Sequence, residues 1–234
     1  MTTTEPGTAE EPGRAGPSRT QRLVMGGAVL LTVLLVGVII GMLVRLPGQP
    51  PAPPAYDSVD VGFAQDMSIH HTQAVQMAAW ERDHTTDPVL RLLATDIEDT
   101  QHGQFGRMLG WLELWGAPTM PLSGRYMTWM ADAPGHDHRE PGSSEPGVTQ
   151  MPGMATAEEL RRLRESTGPE MDVLWLQLML RHHEGGAPML AYAADHAQTP
   201  QVRNLAAQML AAQTAESEYL RELLAQRGGT PLPL

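Results

Sequence analysis

Two short segments of the sequence repeat one pattern of histidine and methionine. The first, DMSIHHTQAVQMA, contains Met67, His70, His71 and Met77. The second, LMLRHHEGGAPMLAYA, contains Met179, His182, His183 and Met189 at the same spacing. Imidazole nitrogen and thioether sulfur together favour copper, Cu(I) in particular. The two segments therefore predict a copper site made from these eight side chains.

The composition narrows the classes of protein that fit. The 234 residues carry a formal net charge of −11 and include no lysine, which argues against nucleic-acid binding because that needs a basic face. No cysteine is present, so disulfides and thiolate metal sites are excluded. Fifteen methionines and nine histidines remain as the ligands suited to a soft metal ion.

The spacing of the two segments places the histidines on helices. A 3,4,3 spacing marks the core-facing stripe of an amphipathic helix. Each segment has such a stripe, formed by Met67, His70, Ala74 and Met77 in one and by Met179, His182, Gly186 and Met189 in the other. His70 and His182 are therefore predicted in the core, and His71 and His183 beside it.

An internal repeat organises these helices. Cap and proline signals predict helices at 58–84, 88–115, 169–196 and 200–228, and a short helix that Thr156 and Glu159 begin and Gly168 ends. An offset of 112 residues carries the first histidine pair onto the second and Pro88 onto Pro200. The prediction is an all-α protein in which two duplicated helical hairpins form a four-helix bundle.

Polar residues on the partner helices are predicted to face the histidines. Residues equally distant from a hairpin turn lie at the same height, which brings Gln101 and Gln104 level with the first histidine pair. Gln213 and Glu216 lie level with the second pair for the same reason. We expect these four residues to contact the imidazoles on the side away from a bound metal and so to orient the rings. The alternative is a hydrogen-bonded network that only fixes helix register.

The N-terminal part of the chain is predicted to anchor the bundle. Residues 1–22 have the composition of a disordered tail, residues 23–44 are uncharged and long enough for one transmembrane helix, and residues 45–57 form a proline-rich linker. Arg14, Arg19 and Arg22 precede the span and only Arg45 closely follows it. The excess predicts a cytoplasmic N-terminus and an extracytoplasmic bundle, residues 58–228.

The connecting loop, residues 117–155, offers a second set of metal ligands. His136, His138, Met151 and Met154 lie within it. They are candidates for a flexible metal-capture site, and a solvated linker without a metal is the alternative.

The two histidine segments, with TQHGQFGRMLGWL and GMATAEELRRL, resemble the family called domain of unknown function 305. The resemblance implies a duplicated ferritin-like bundle over residues 60–228 and copper binding outside the cytoplasm, as in some members. Two positions depart from it: Gln104 replaces a common acid that Glu216 keeps, and Leu178 stands where the first half has Asp66. A difference between the two halves is therefore expected.

The functional prediction is a membrane-anchored, extracytoplasmic protein that sequesters or transfers copper. Two alternatives stay open, a ferritin-like metal-dependent redox enzyme and a structural module of a membrane complex that holds no metal. No nucleophile–base pair or phosphate-binding loop is recognisable in the sequence, so no catalytic residue is predicted.

Overall fold

The computed structural model describes residues 16, 18–45, 52–131 and 145–234. The chain divides into two compact units, 1–52 and 53–234. The described part of the first unit is one helix, α1, Arg19–Arg45, which begins ahead of the predicted span. It is long and apolar enough to cross a membrane, a property that signal sequences near an N-terminus share.

The first hairpin begins and ends where its capping residues predict. α2 spans Val59–His84, and the Ser58 side chain accepts a hydrogen bond from the amide of Val61. α3 spans Pro88–Leu114 and has Asp87 as its capping residue. These side chains accept bonds from amides that the first turn of a helix leaves without partners.

The second hairpin follows a short helix. α4 spans Ala157–Glu165 and begins with the predicted capping box of Thr156 and Glu159. α5 spans Gly168–His196, and α6 spans Pro200–Gln226. The prediction that Gly168 ends the short helix is wrong. α4 ends at Glu165, and Gly168, with a φ of +59°, is the first residue of α5.

The two hairpins pack through α2 and α5, and each of these helices also packs against its own hairpin partner. Two hydrophobic clusters result, one at each end of the bundle. One joins the beginning of α2 to the end of α5, and the other joins the end of α2 to the beginning of α5. α2 and α5 are therefore antiparallel. The predicted all-α bundle of duplicated hairpins is confirmed, and no strand occurs in the described part of the chain.

The connecting loop, residues 117–155, which we call the connector, runs along the bundle. α3 ends at one hydrophobic cluster and α5 begins at the other, so the connector passes from end to end. Its described residues include a single 3₁₀ turn, Thr128–Met130, and an isolated bridge between Tyr126 and Val148. Residues 151–155, which we call the strap, cross the middle of the bundle, where Gln73 binds both the amide and the carbonyl of Ala155.

Candidate metal centre

The four predicted histidines lie together between the two hydrophobic clusters. His70, His71, His182 and His183 are all buried, with at most 1% of any residue exposed. The rings of His70 and His182, one from each hairpin, have centroids 3.7 Å apart at an interplanar angle of 37°. We call these four residues the histidine layer.

Each imidazole of the histidine layer directs its Nε2 atom at an oxygen. His71 lies 2.8 Å from Oε1 of Gln104, and His183 lies 2.7 Å from Oε2 of Glu216. The other two face backbone carbonyls. Nε2 of His182 is 3.1 Å from the oxygen of His70, and Nε2 of His70 is 3.4 Å from that of Pro152.

These contacts determine which nitrogen of each ring carries the proton. A carbonyl oxygen accepts hydrogen bonds and cannot donate them, and a carboxylate behaves in the same way. Nε2 must therefore be the protonated nitrogen in each neutral ring. The Nδ1 atoms of all four rings are buried without a hydrogen-bond partner among the described residues. In each ring that is neutral, the lone pair of Nδ1 is therefore unused.

Burial favours the neutral form of three of these imidazoles, those of His70, His71 and His182. It lowers the pKa of His70 to about 3, with repulsion from His71 as the next cause. Burial also lowers the pKa of His71 to about 4, although the bond to Gln104 acts in the opposite direction. The pKa of His182 is lowered well below its ordinary value, first by burial and then by His70. Neutral imidazole is the form that binds metal ions.

The four predicted methionines lie on both sides of the histidine layer. Met67 and Met189 lie in one hydrophobic cluster, and Met77 and Met179 lie in the other. Each side of the histidine layer therefore has two of the four predicted methionines, one from α2 and one from α5.

Two glutamines add further unused polar groups to this region. Gln101 and Gln213 are buried, and neither their amide nitrogens nor their amide oxygens have a partner within the described ranges. Buried polar groups without partners cost roughly 1–3 kcal/mol each, so the layer is unfavourable for folding alone.

The side chains of the histidine layer do not yet form a complete coordination sphere for a metal ion. Among the described residues, no three histidine, aspartate or glutamate side chains are already placed to hold one metal ion. Gly186 shows how little free space there is, since a Cβ there would lie 3.0 Å from Cε1 of His70. Of the predicted loop ligands, Met151 is buried in a hydrophobic cluster and Met154 is partly buried. His136 and His138 lie outside the described residues.

Sequence reasoning did not find the residues that hold the connector against the bundle. Asp66 accepts bonds from the amide of Met127 and from Nε1 of Trp129, at 2.6 and 2.8 Å. Burial raises the pKa of Asp66 to about 6, and these two bonds partly offset that effect. A charged residue within an apolar helical segment was the available signal, because such a residue needs a partner when it is buried.

A second buried carboxyl group also escaped the sequence analysis. Glu81 is fully buried, and neither of its carboxyl oxygens has a hydrogen-bond partner in the described part of the chain. Burial and the nearby Asp172 raise the pKa of Glu81 to about 8. At neutral pH Glu81 is therefore mostly protonated, which reduces its repulsion from Asp172. His84, three residues later, is exposed and stacks on Trp80, so it does not extend this pair.

The fold and the histidine layer together define a class of protein, the duplicated helical bundles with buried histidines at the middle of the bundle. The chain belongs to the DUF305 family, because the model of this family, described as a domain of unknown function, matches residues 60–224. None of the curated protein sequences matches the chain.

Solved structures agree with this assignment. A DUF305 protein of Streptomyces coelicolor, described as secreted, is 39% identical with a TM-score of 0.67, covering 77% of this chain and 100% of its own. A DUF305 fragment from Deinococcus radiodurans is 30% identical with a TM-score of 0.57, covering 76% and 99%. CopM in its Cu(I)-bound form has a similar fold at 20% identity and a TM-score of 0.52, covering 71% and 96%.

Proposed function

We propose that this protein binds copper in the histidine layer and thereby sequesters or transfers the ion. The observation that carries the proposal is the set of four buried Nδ1 atoms without a hydrogen-bond partner among the described residues, on rings whose Nε2 atoms each face an oxygen. A carboxylate or amide behind the far nitrogen of a ring is the usual arrangement around histidine ligands. Gln104 and Glu216 occupy those positions.

The chemistry of the available donors favours copper over zinc. Zinc sites are built mainly from cysteine, histidine and carboxylate, and cysteine is absent from the chain. The buried methionines on both sides of the layer offer thioether sulfur, which suits Cu(I). CopM, which is similar in fold, has been solved with Cu(I) and with Cu(II) bound.

Binding requires the rings to move. The rings of His70 and His182 lie against each other with a tilt of 37°, and a metal ion would lie in the plane of a coordinating ring, near its nitrogen. We therefore infer that binding turns these two rings apart, with one or two ions held between the hairpins. We also propose that α1 anchors the protein and that the bundle lies outside the cytoplasm, as the arginines around α1 favour.

The full-length protein in detergent, titrated with Cu(I) in competition with bicinchoninate, tests the proposal. Replacing His70 and His182 together by leucine removes two imidazoles and keeps comparable volume. Copper affinity should fall at least about a hundredfold, equivalent to roughly 2.7 kcal/mol, while the helical circular dichroism signal persists.

Changing His84 and His196 to leucine together is the matched control. These exposed histidines occupy equivalent positions at the ends of α2 and α5 and should leave the affinity unchanged. A folded His70→Leu/His182→Leu protein that keeps its affinity would exclude these two histidines as ligands. If that variant instead loses stability and binds copper as before, the layer acts only to fix helix register.

A further inference from the structure

A groove between α5 and α6 reaches from solvent to the histidine layer. Its volume is about 210 Å³, and its lining includes His183, Gln213, Thr214, Ser217 and Arg221. His183 and Gln213 are buried residues of the bundle, whereas Thr214 is exposed. The groove therefore connects the surface with one imidazole of the layer.

Acidic side chains surround this groove. Glu184 and Glu218 line it, and an ion pair between Glu184 and Arg221 joins α5 to α6 across it. Glu216 bonds to His183 at 2.7 Å, yet 27% of its side chain is exposed. Glu216 itself does not line the groove, whose two carboxylates and one guanidinium leave a net negative charge that attracts cations.

The first hairpin differs at the corresponding positions. An offset of 112 residues places Phe105 where the groove has Ser217, and Leu109 where it has Arg221. Val75 likewise corresponds to Ala187 of the groove. Apolar side chains therefore occupy all three of these positions between α2 and α3. The partner of His71 is the neutral Gln104, so this side also lacks the carboxylate.

The strap covers the layer on another side. The carbonyl of Pro152 faces Nε2 of His70. Gly153 lies so close to α5 that a Cβ on it would be 2.5 Å from the carbonyl oxygen of Arg181 and 3.1 Å from Cα of His182. Such close packing of backbone on backbone leaves no room for an ion to pass beneath the strap.

We propose that the α5–α6 groove is the route by which a soft cation reaches the histidine layer, and that His183, which lines the groove, is the first residue of the layer to receive it. The inference rests on the proposed function, since it assigns a direction of uptake to that same layer. The Glu184–Arg221 ion pair then acts as a barrier across the route. This ion pair must break before the cation passes. Attraction between the cation and Glu184 can help to break it.

Blocking the groove tests the route by kinetics. Thr214→Trp fills the groove, and His102→Trp is the matched control because residue 102 is the exposed equivalent in the first hairpin. Transfer of Cu(I) from bicinchoninate to the full-length protein is followed by stopped-flow absorbance. Thr214→Trp should slow transfer by at least about tenfold, because steric restriction lowers association rates, and should leave the equilibrium affinity unchanged.

The outcomes separate the two proposals. His102→Trp should transfer copper at the rate of the unmodified protein. If Thr214→Trp also does so, or if both variants are slowed equally, the groove is not the route although the layer still binds copper. If the unmodified protein takes up no Cu(I) at equilibrium, the proposed function fails, and the route fails with it.

A second pair of variants tests the barrier without adding bulk. Arg221→Ala removes the ion pair, and Arg107→Ala removes the same charge from an exposed position on α3. Arg221→Ala should speed Cu(I) transfer by about twofold to tenfold, because a more negative groove attracts cations more strongly. Equal rates in the two variants would show that the ion pair does not obstruct the route.

Discussion

At the scale of single residues, the histidine layer makes stability depend on pH. Burial lowers the pKa of His70 to about 3 and that of His71 to about 4, and the pKa of His182 is lowered as well. In the unfolded chain these histidines have pKa values near 6.5. Below that pH the unfolded state binds more protons than the folded state, so the metal-free fold loses stability as the pH falls.

The variant His70→Leu/His182→Leu should therefore have a shallower pH dependence of stability. Between about pH 6.5 and 4.5, removing the two histidines should reduce the slope of the unfolding free energy by up to about 2.7 kcal/mol per pH unit. Urea unfolding of both metal-free proteins at several pH values measures this slope. Asp66 and Glu81, whose raised pKa values act in the opposite direction, are present in both proteins and cancel in the comparison. Identical slopes would mean that the two histidines do not titrate differently on folding.

Part of the layer was predictable from hairpin geometry alone. The contacts of His71 with Gln104 and of His183 with Glu216 follow from the equal heights of residues on antiparallel helices. The carbonyl of Pro152 and the bonds of Gln73 to Ala155 were not predictable. The connector has no hydrophobic periodicity to indicate its path, and a loop reaches a site through backbone conformations that composition does not specify.

At the scale of the elements, capping residues predicted most helix ends and failed at one. Ser58, Asp87 and Thr156 each begin a helix as expected. Gly168 was assigned to the end of a helix because a positive φ is typical of that position. The same backbone freedom allows it to turn the chain into α5, which the sequence pattern does not distinguish.

The contact between the strap and α5 depends on two glycines. A Cβ on Gly185 would lie 2.5 Å from Cα of Gly153 and 2.5 Å from the carbonyl carbon of Pro152. Gly185→Ala should therefore displace the strap and lower the unfolding free energy by about 1–3 kcal/mol. Urea unfolding measures the loss, and hydrogen exchange at the amide of Ala155, which bonds to Gln73, should become faster.

Gly103→Ala is the matched control for this change. Gly103 lies inside α3, a Cβ there meets nothing within 4 Å, and its counterpart in the second hairpin is already Ala215. Alanine should stabilise this site by about 0.5–1 kcal/mol, since glycine is the poorer helix former. If Gly185→Ala stabilises the protein as this control does, the strap does not contact α5 closely enough to exclude a Cβ.

At the scale of the whole molecule, the proposed role of α1 as the membrane anchor of the bundle can be tested directly. This helix is apolar over a length sufficient for a membrane, and the arginines concentrate on its N-terminal side. The chain lacks cysteine, so single cysteines placed on either side of α1 report location without interference. A membrane-impermeant maleimide should label Gln226→Cys in intact cells and Thr4→Cys only after permeabilisation. The reverse pattern would invert the topology, and a mature protein that begins after residue 45 would identify α1 as a cleaved signal.

The two hairpins also carry identical residues at several equivalent positions. α3 and α6 begin and end 112 residues apart, and Met67, His70, His71, Met77 and Gln101 keep their identities in the second copy, at the same offset. Apolar side chains of similar size in place of buried polar groups often stabilise a core, so folding alone does not account for this identity. The copies differ at other positions, such as Phe105 and Ser217. Both hairpins thus carry the same polar residues at the level where unpaired groups are unfavourable for folding.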